Sequence, residues 1–228
     1  MIAALARPSL ARVFRTPRSL LAVGAWCVLA LGFALAARSR GSANGADHVL
    51  VGAYGALILP LLAYTLVGAV LGARSLAAST APLVRFGAPP ARAAAVTVGV
   101  AVAAGVVVGA ALASVVAVLA HGSSDPPATS DALASAYAGA LGGAAYTAWF
   151  ALGASFGKRG GGRTLLLVVD WVLGLGHGVM AVVTPRAHLR NLLGGAAPMA
   201  WSGRASAAAL VVIAGVCLLV AVRRAGRA

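Results

Sequence analysis

Six long apolar stretches, separated by short segments that hold nearly all the charge, constrain this chain more than any other feature. They run approximately over 19–37, 49–72, 93–120, 132–157, 163–183 and 205–222. A helix needs about 20 apolar residues to cross roughly 30 Å of hydrocarbon. No water reaches backbone N–H and C=O groups there, so each stretch is expected to be helical despite its Gly and β-branched residues. Composition agrees: 61% of the 228 residues are hydrophobic and only 10% charged, against about 25% charged in a soluble domain. Too little polar surface exists to cover a core of that size. The expected fold is all-α, an integral membrane protein with a single transmembrane domain over 1–228.

The basic residues set the orientation. Thirteen of the 18 fall on one side if both termini lie in the cytoplasm: Arg7, Arg12, Arg15 and Arg18; Arg74, Arg85 and Arg92; Lys158, Arg159 and Arg163; Arg223, Arg224 and Arg227. The opposite side holds Arg38, Arg40, Arg186, Arg190 and Arg204, together with Asp47, Asp125 and Asp131. Loops rich in Lys and Arg stay inside, so six spans with N-in and C-in topology are expected. In a soluble chain a net charge of +14 would raise nucleic-acid binding. Here the charges sit in connectors without interleaved aromatics, and no nucleic-acid partner is expected. Cys27 and Cys217 lie singly inside apolar runs and read as small fillers. No small-residue cleavage site follows the basic N-terminal segment, so a cleaved signal peptide is not expected.

Two connections carry helix signals. A helix over Pro8–Thr16 would place Leu10, Val13 and Phe14 on one side and Arg12, Arg15 and Arg18 on the other, as an interfacial amphipathic helix does. Between spans five and six, Thr184 can N-cap a short outer amphipathic helix beginning at Pro185 and ending at Gly194–Gly195. Its Leu189, Leu192 and Leu193 would face away from Arg186 and Arg190. The connection 73–92 is the longest on the inner side. It sets Leu76, Leu83, Val84 and Phe86 among Ser, Thr and Pro, an apolar cluster suited to docking a soluble partner.

Asp170 is the one acidic residue inside an apolar stretch, and the chain has no Glu. A carboxylate at a helix centre costs about 2.5–3.5 kcal/mol on insertion scales, so it faces protein or water. On a continuous helix, His177 lies two turns on along the same face and Arg163 two turns back. Asp170 therefore either pairs with Arg163 or lines a pathway with His177. Small-xxx-small pairs occur at Gly68/Gly72, Gly105/Gly109, Gly153/Gly157 and Gly174/Gly178, which permit close helix approach. The run Gly157-Lys158-Arg159-Gly160-Gly161-Gly162 lacks the spacing and the Ser/Thr of a phosphate loop. No catalytic residues, paired carboxylates or metal ligands assemble from the sequence, so an enzyme is not expected.

The order of these features resembles the permease subunit of type-2 ABC exporters. The basic segment Ala6–Arg18 entering the first span is similar to that family's connecting helix. Gly72-Ala73-Arg74-Ser75-Leu76-Ala77 through Phe86-Gly87-Ala88-Pro89-Pro90-Ala91-Arg92 is similar to its cytoplasmic loop, with Pro89 and Arg92 matching a Pro-x-x-Arg. Thr184-Pro185 through Leu192-Leu193-Gly194, then a span and Arg223-Arg224, resembles the outer re-entrant segment and last helix. Where the family commonly has Glu-Arg after the second span, this chain reads Ala77-Ala78-Ser79-Thr80.

The resemblance implies a bacterial inner-membrane protein that pairs with a second permease subunit, identical or related. It implies separate ATP-binding subunits that carry ATP and Mg, with no cofactor bound by this chain. The ATPase-coupling loop would use Leu76, Leu83, Val84, Arg85, Phe86, Pro89 and Arg92. A haem-exporter-like permease shares the six-span outline. A membrane scaffold or secondary transporter is the rival of a different class, although the chain shows no internal repeat of the kind transporters carry.

Overall fold

In the structure, a computed structural model, residues 6–9, 11–12, 17–72, 74–157 and 159–227 are described. Every regular element among them is helical. Helix α1 (Pro17–Ser39) is followed by a rod of three joined pieces: α2 (Gly45–Val49), a π-helical stretch Leu50–Ile58, and α3 (Leu59–Leu71). Then come α4 (Leu76–Arg85), α5 (Pro90–Ala120), α6 (Ala128–Ala154), α7 (Gly162–Gly174), α8 (Pro185–Leu192) and α9 (Gly203–Gly226). Short 3₁₀ turns at Val179–Val183 and Pro198–Ala200 flank α8.

Prolines and glycines punctuate the elements as their backbone chemistry requires. Pro17, Pro90 and Pro185 stand at first helical positions, where the missing N–H costs nothing. Gly72, with φ +62°, closes α3, and Gly87, with φ +88°, follows α4; both occupy left-handed backbone that disfavours a side chain. Ser75 and Ser202 cap α4 and α9, their hydroxyl oxygens accepting from Ala78 N at 3.3 Å and Ala205 N at 3.2 Å.

Four helical stretches are long and apolar enough to cross a membrane: Pro17–Ser39, Gly45–Arg85, Pro90–Ala120 and Gly203–Gly226. This is the build of a membrane protein. Large apolar side chains also point outward, among them Leu21, Val28, Val107, Val172 and Val212. The expected span over 163–183 takes another form. Helix α7 has 13 residues, about 20 Å at 1.5 Å per residue, against roughly 30 Å of hydrocarbon. It stops where Gly174, Gly176 and Gly178 each cost about 1 kcal/mol of helix propensity. The chain then turns back through Val179–Val183 into α8.

The centre of the bundle is the α5–α6 seam. Gly105 and Gly109 of α5 interlock with Gly139 and Gly143 of α6. A Cβ at Gly109 would lie 2.5 Å from Gly139 O. Two small-xxx-small motifs thus meet face to face; the sequence reading noted the first pair and missed the second. Around the seam pack Tyr54, Leu59, Leu62, Tyr146 and Phe150, all fully buried. One end of the bundle collects α4, the 155–162 turn and the C-terminus of α9, where Arg224 lies over the Phe156 ring at 4.4 Å. The other end holds Asp47, Asp125 and His121. There Asp125 Oδ2 accepts from Ala46 N at 2.9 Å and Gly122 N at 2.7 Å, tying the first turn of α2 to the loop after α5.

Candidate functional site

Two places gather chemistry: the helix α4 at the basic end, and a buried polar centre where α7 meets α8. In α4, Pro82 and Arg85 are exposed while Leu76, Ser79 and Thr80 are buried. The Ser79 hydroxyl donates to Leu76 O at 2.7 Å, and the Thr80 hydroxyl donates to Leu76 O and Ala77 O at 3.1 Å each, so no buried hydroxyl is orphaned. The expected apolar cluster divides. Leu76 is fully buried in the core and offers nothing to a partner, whereas Leu83 and Val84 are half-buried and Phe86 is 91% exposed. Arg85, Pro89 and Arg92 are exposed around Phe86. The α4 register accounts for the split, because its start packs on α5 while its last turn leaves the bundle.

The N-terminal segment is sewn to this end. Residues 6–9 and 11–12 are helical. Arg12 turns inward, in contrast to its expected place on a polar face. Its Nη2 donates to Ser79 O at 3.1 Å and its Nη1 to Val70 O at 3.5 Å, so one guanidinium bridges α3 and α4. Ser9 Oγ donates to Thr97 Oγ1 of α5 at 3.5 Å. Arg18 is exposed; Arg15, with Leu10, Val13 and Phe14, lies outside the described residues.

At the buried centre, Asp170 has no exposed surface. Its Oδ2 accepts from the Tyr146 hydroxyl at 3.1 Å and its Oδ1 from Arg186 N at 3.1 Å. Arg186 is the second residue of α8, so a carboxylate on α7 satisfies an amide at the start of another helix, next to the positive end of its dipole. Thr184 has the extended backbone of an N-cap, yet its hydroxyl donates back to Ala181 O at 2.8 Å. Asp170 takes over the capping role that the sequence reading assigned to Thr184.

Neither partner expected for Asp170 is the one found. Arg163 lies with its guanidinium over the Tyr64 ring at 5.5 Å, and its Nε donates to Gly160 O at 3.4 Å. His177 falls beyond the end of α7, exposed, with its Nδ1 3.4 Å from Arg190 Nη2 and its carbonyl accepting from Met199 N at 2.9 Å. The shared face needed a continuous helix, and Gly174 ends it.

Helix α8 is held by a second network that the sequence reading did not foresee. Asn191 Nδ2 donates to Ser206 Oγ at 2.8 Å and to Trp201 O at 2.9 Å. Ser206 Oγ lies 3.3 Å from His188 Nδ1, and His188 Nε2 lies 2.8 Å from Val182 O. A carbonyl only accepts, so Nε2 carries the proton and Nδ1 accepts from Ser206. Arg190 spans the turn, donating to Ala196 O at 3.0 Å, Leu175 O at 3.1 Å and Gly176 O at 2.9 Å. Met199 and Ala200 sit at φ +46° and +55°, left-handed backbone that costs non-glycine residues about 1–2 kcal/mol each. This irregular, partly strained segment is thus tied to α8 through the carbonyls of Leu175, Gly176, Val182, Ala196 and Trp201. Among the described residues no group of His, Cys, Asp or Glu is arranged to hold a metal ion. Comparison with protein-family models, curated proteins and solved structures finds nothing that matches this chain.

Proposed function

We propose that this chain is the transmembrane permease subunit of an ATP-driven exporter, working as a dimer with separate ATP-binding subunits. In this reading the basic end is cytoplasmic. The spans are α1, the α2–α3 rod, α5, α6, α7 with the returning segment, and α9. The observation that carries the proposal is α4: a capped helix at the basic end, its last turn presenting Phe86 almost wholly to solvent. An apolar ring beside Arg85 and Arg92 is a contact surface without its partner. The Arg12 bridge to Val70 O and Ser79 O ties α4 to α3 and to the N-terminal segment.

The α7–α8 turn fits the same reading. Irregular backbone at membrane depth is tolerated where protein groups satisfy it, as Asp170, His188 and Arg190 do here. Docking of the ATPase at α4, and nucleotide-driven closure, would rock one half against the other, provided that nucleotide favours one of the two states.

Phe86→Ala with Leu83→Ala tests it. The variant is expected to insert normally and to lose both ATPase recruitment and export, because truncating a central apolar anchor costs about 2 kcal/mol or more. Undiminished pull-down of an ATP-binding subunit encoded with this chain would overturn the docking role.

A further inference from the structure

A furrow of about 930 Å³ runs along the outside of the bundle between α1 and the α2–α3 rod. Leu29, Gly32 and Phe33 form one wall, and Gly52, Ala53 and Leu57 the other. Two wall residues without side chains leave room in it: a Cβ built at Gly32 or Gly52 meets nothing within 4 Å. At one end the lining changes to Arg40, Ser42 and His48, around the loop that joins α1 to α2. From Val28 to Arg40 the wall rises roughly 18 Å at 1.5 Å per residue. That is close to half of the roughly 30 Å hydrocarbon layer, or one leaflet.

We propose that this furrow binds an anionic membrane phospholipid, with an acyl chain along Gly32 and Gly52 and its phosphate on Arg40, Ser42 and His48. The proposal rests on the chain lying in a membrane and not on the exporter reading. A guanidinium offers a fork of donors matched to phosphate oxygens, and the hydroxyl and imidazole add to it. A second copy of this chain complements the polar end poorly. The chain has four acidic residues. Asp170 is wholly buried and Asp131 is 8% exposed. Asp125 Oδ2 is engaged by two amides, which leaves Asp47 as the one exposed carboxylate side chain, its Oδ1 3.7 Å from where a Cβ would stand at Gly194. Little remains to meet Arg40 across a dimer contact, whereas lipid phosphate is present in every leaflet.

Native mass spectrometry of the full chain in detergent, titrated with phosphatidylglycerol or phosphatidylcholine, provides the test. One phosphatidylglycerol retained per chain is expected, about tenfold more tightly than phosphatidylcholine, equivalent to about 1.4 kcal/mol. Gly32→Leu with Gly52→Leu fills the furrow without touching its own backbone and is expected to lower retention of both lipids about tenfold. Gly24→Leu, equally open but outside the furrow, leaves retention unchanged. Arg40→Gln keeps phosphatidylcholine binding and removes the preference for phosphatidylglycerol. Full retention by the double-leucine variant overturns the proposal, as does equal retention of the two lipids by the unaltered chain. Competition by glycerol phosphate alone would make it a free-anion site. Loss of a dimer by the double-leucine variant with lipid retained would give the furrow to a second copy. None of these outcomes depends on ATPase recruitment at Phe86.

Discussion

At the scale of single residues, Asp170 shows how a carboxylate is made tolerable inside an apolar bundle. Two donors reach it from different elements, a phenol from α6 and a backbone amide from α8. Removing one leaves a buried acceptor unpaired, which costs about 1–3 kcal/mol. Tyr146→Phe is therefore expected to lower the thermal stability of the purified protein by that amount. Asp170→Asn should cost less, since an amide oxygen can still accept from Arg186 N. The double variant should cost less than the two singles added, because the lost partners are each other's. Strict additivity in thermal unfolding would mean that Tyr146 and Asp170 do not act as a pair. The pairing was not legible beforehand. A buried Asp announces that donors exist, but nothing in the spacing of Tyr146 and Asp170 says that α6 and α7 bring them together.

At the scale of elements, the close seam between α5 and α6 holds the bundle together. Gly109 and Gly139 each approach the other's carbonyl so closely that a side chain at either would have to displace backbone. Gly109→Leu is expected to force the helices apart and abolish the folded state on size-exclusion chromatography, as overpacking against unyielding backbone does. Gly99→Leu, also on α5, has open space at its Cβ and should elute as the unaltered protein does. Equal behaviour of the two variants would remove the seam from its central place. The Gly105/Gly109 pair was visible in the sequence among several others of the same form, such as Gly68/Gly72. Those others serve different ends: Gly72 is a left-handed helix terminus and Gly174 packs against the Arg186 side chain. Spacing alone cannot separate a packing glycine from a turning one, since only the partner backbone distinguishes them.

At the scale of the whole molecule, the two ends of the bundle differ in charge. The more basic end carries α4 and the C-terminal arginines of α9, and the acidic residues Asp47 and Asp125 lie at the other, among Arg38, Arg40 and Arg204. If the basic end is cytoplasmic, single cysteines at Ala43 and Ser124 should react with an impermeant thiol reagent added to intact cells, and cysteines at Phe86 and Gly161 should not. Cys27→Ala and Cys217→Ala provide the background. Labelling of Phe86→Cys with protection of Ser124→Cys would invert the molecule and place α4 outside, where no ATP-binding subunit could reach it.

What the sequence determined by itself is the all-helical, apolar character of the chain and the approximate limits of several of its long helices. These follow from local quantities: the length of an apolar run, a Pro at the first turn, a Gly beyond the last. The expected limits 19–37, 93–120 and 205–222 lie inside Pro17–Ser39, Pro90–Ala120 and Gly203–Gly226, and the outer helix begins at Pro185 as expected. Tertiary structure alone decided the polar arrangement. The glycines at 174, 176 and 178 mark where α7 can stop, but the form of the turn depended on Asp170 reaching Arg186 N and on Arg190 binding the turn's carbonyls. Whether Leu76 is surface or core depended on where α5 lay. Each of those outcomes is set by a neighbour distant in sequence, and in an apolar bundle a polar group's position follows its partner.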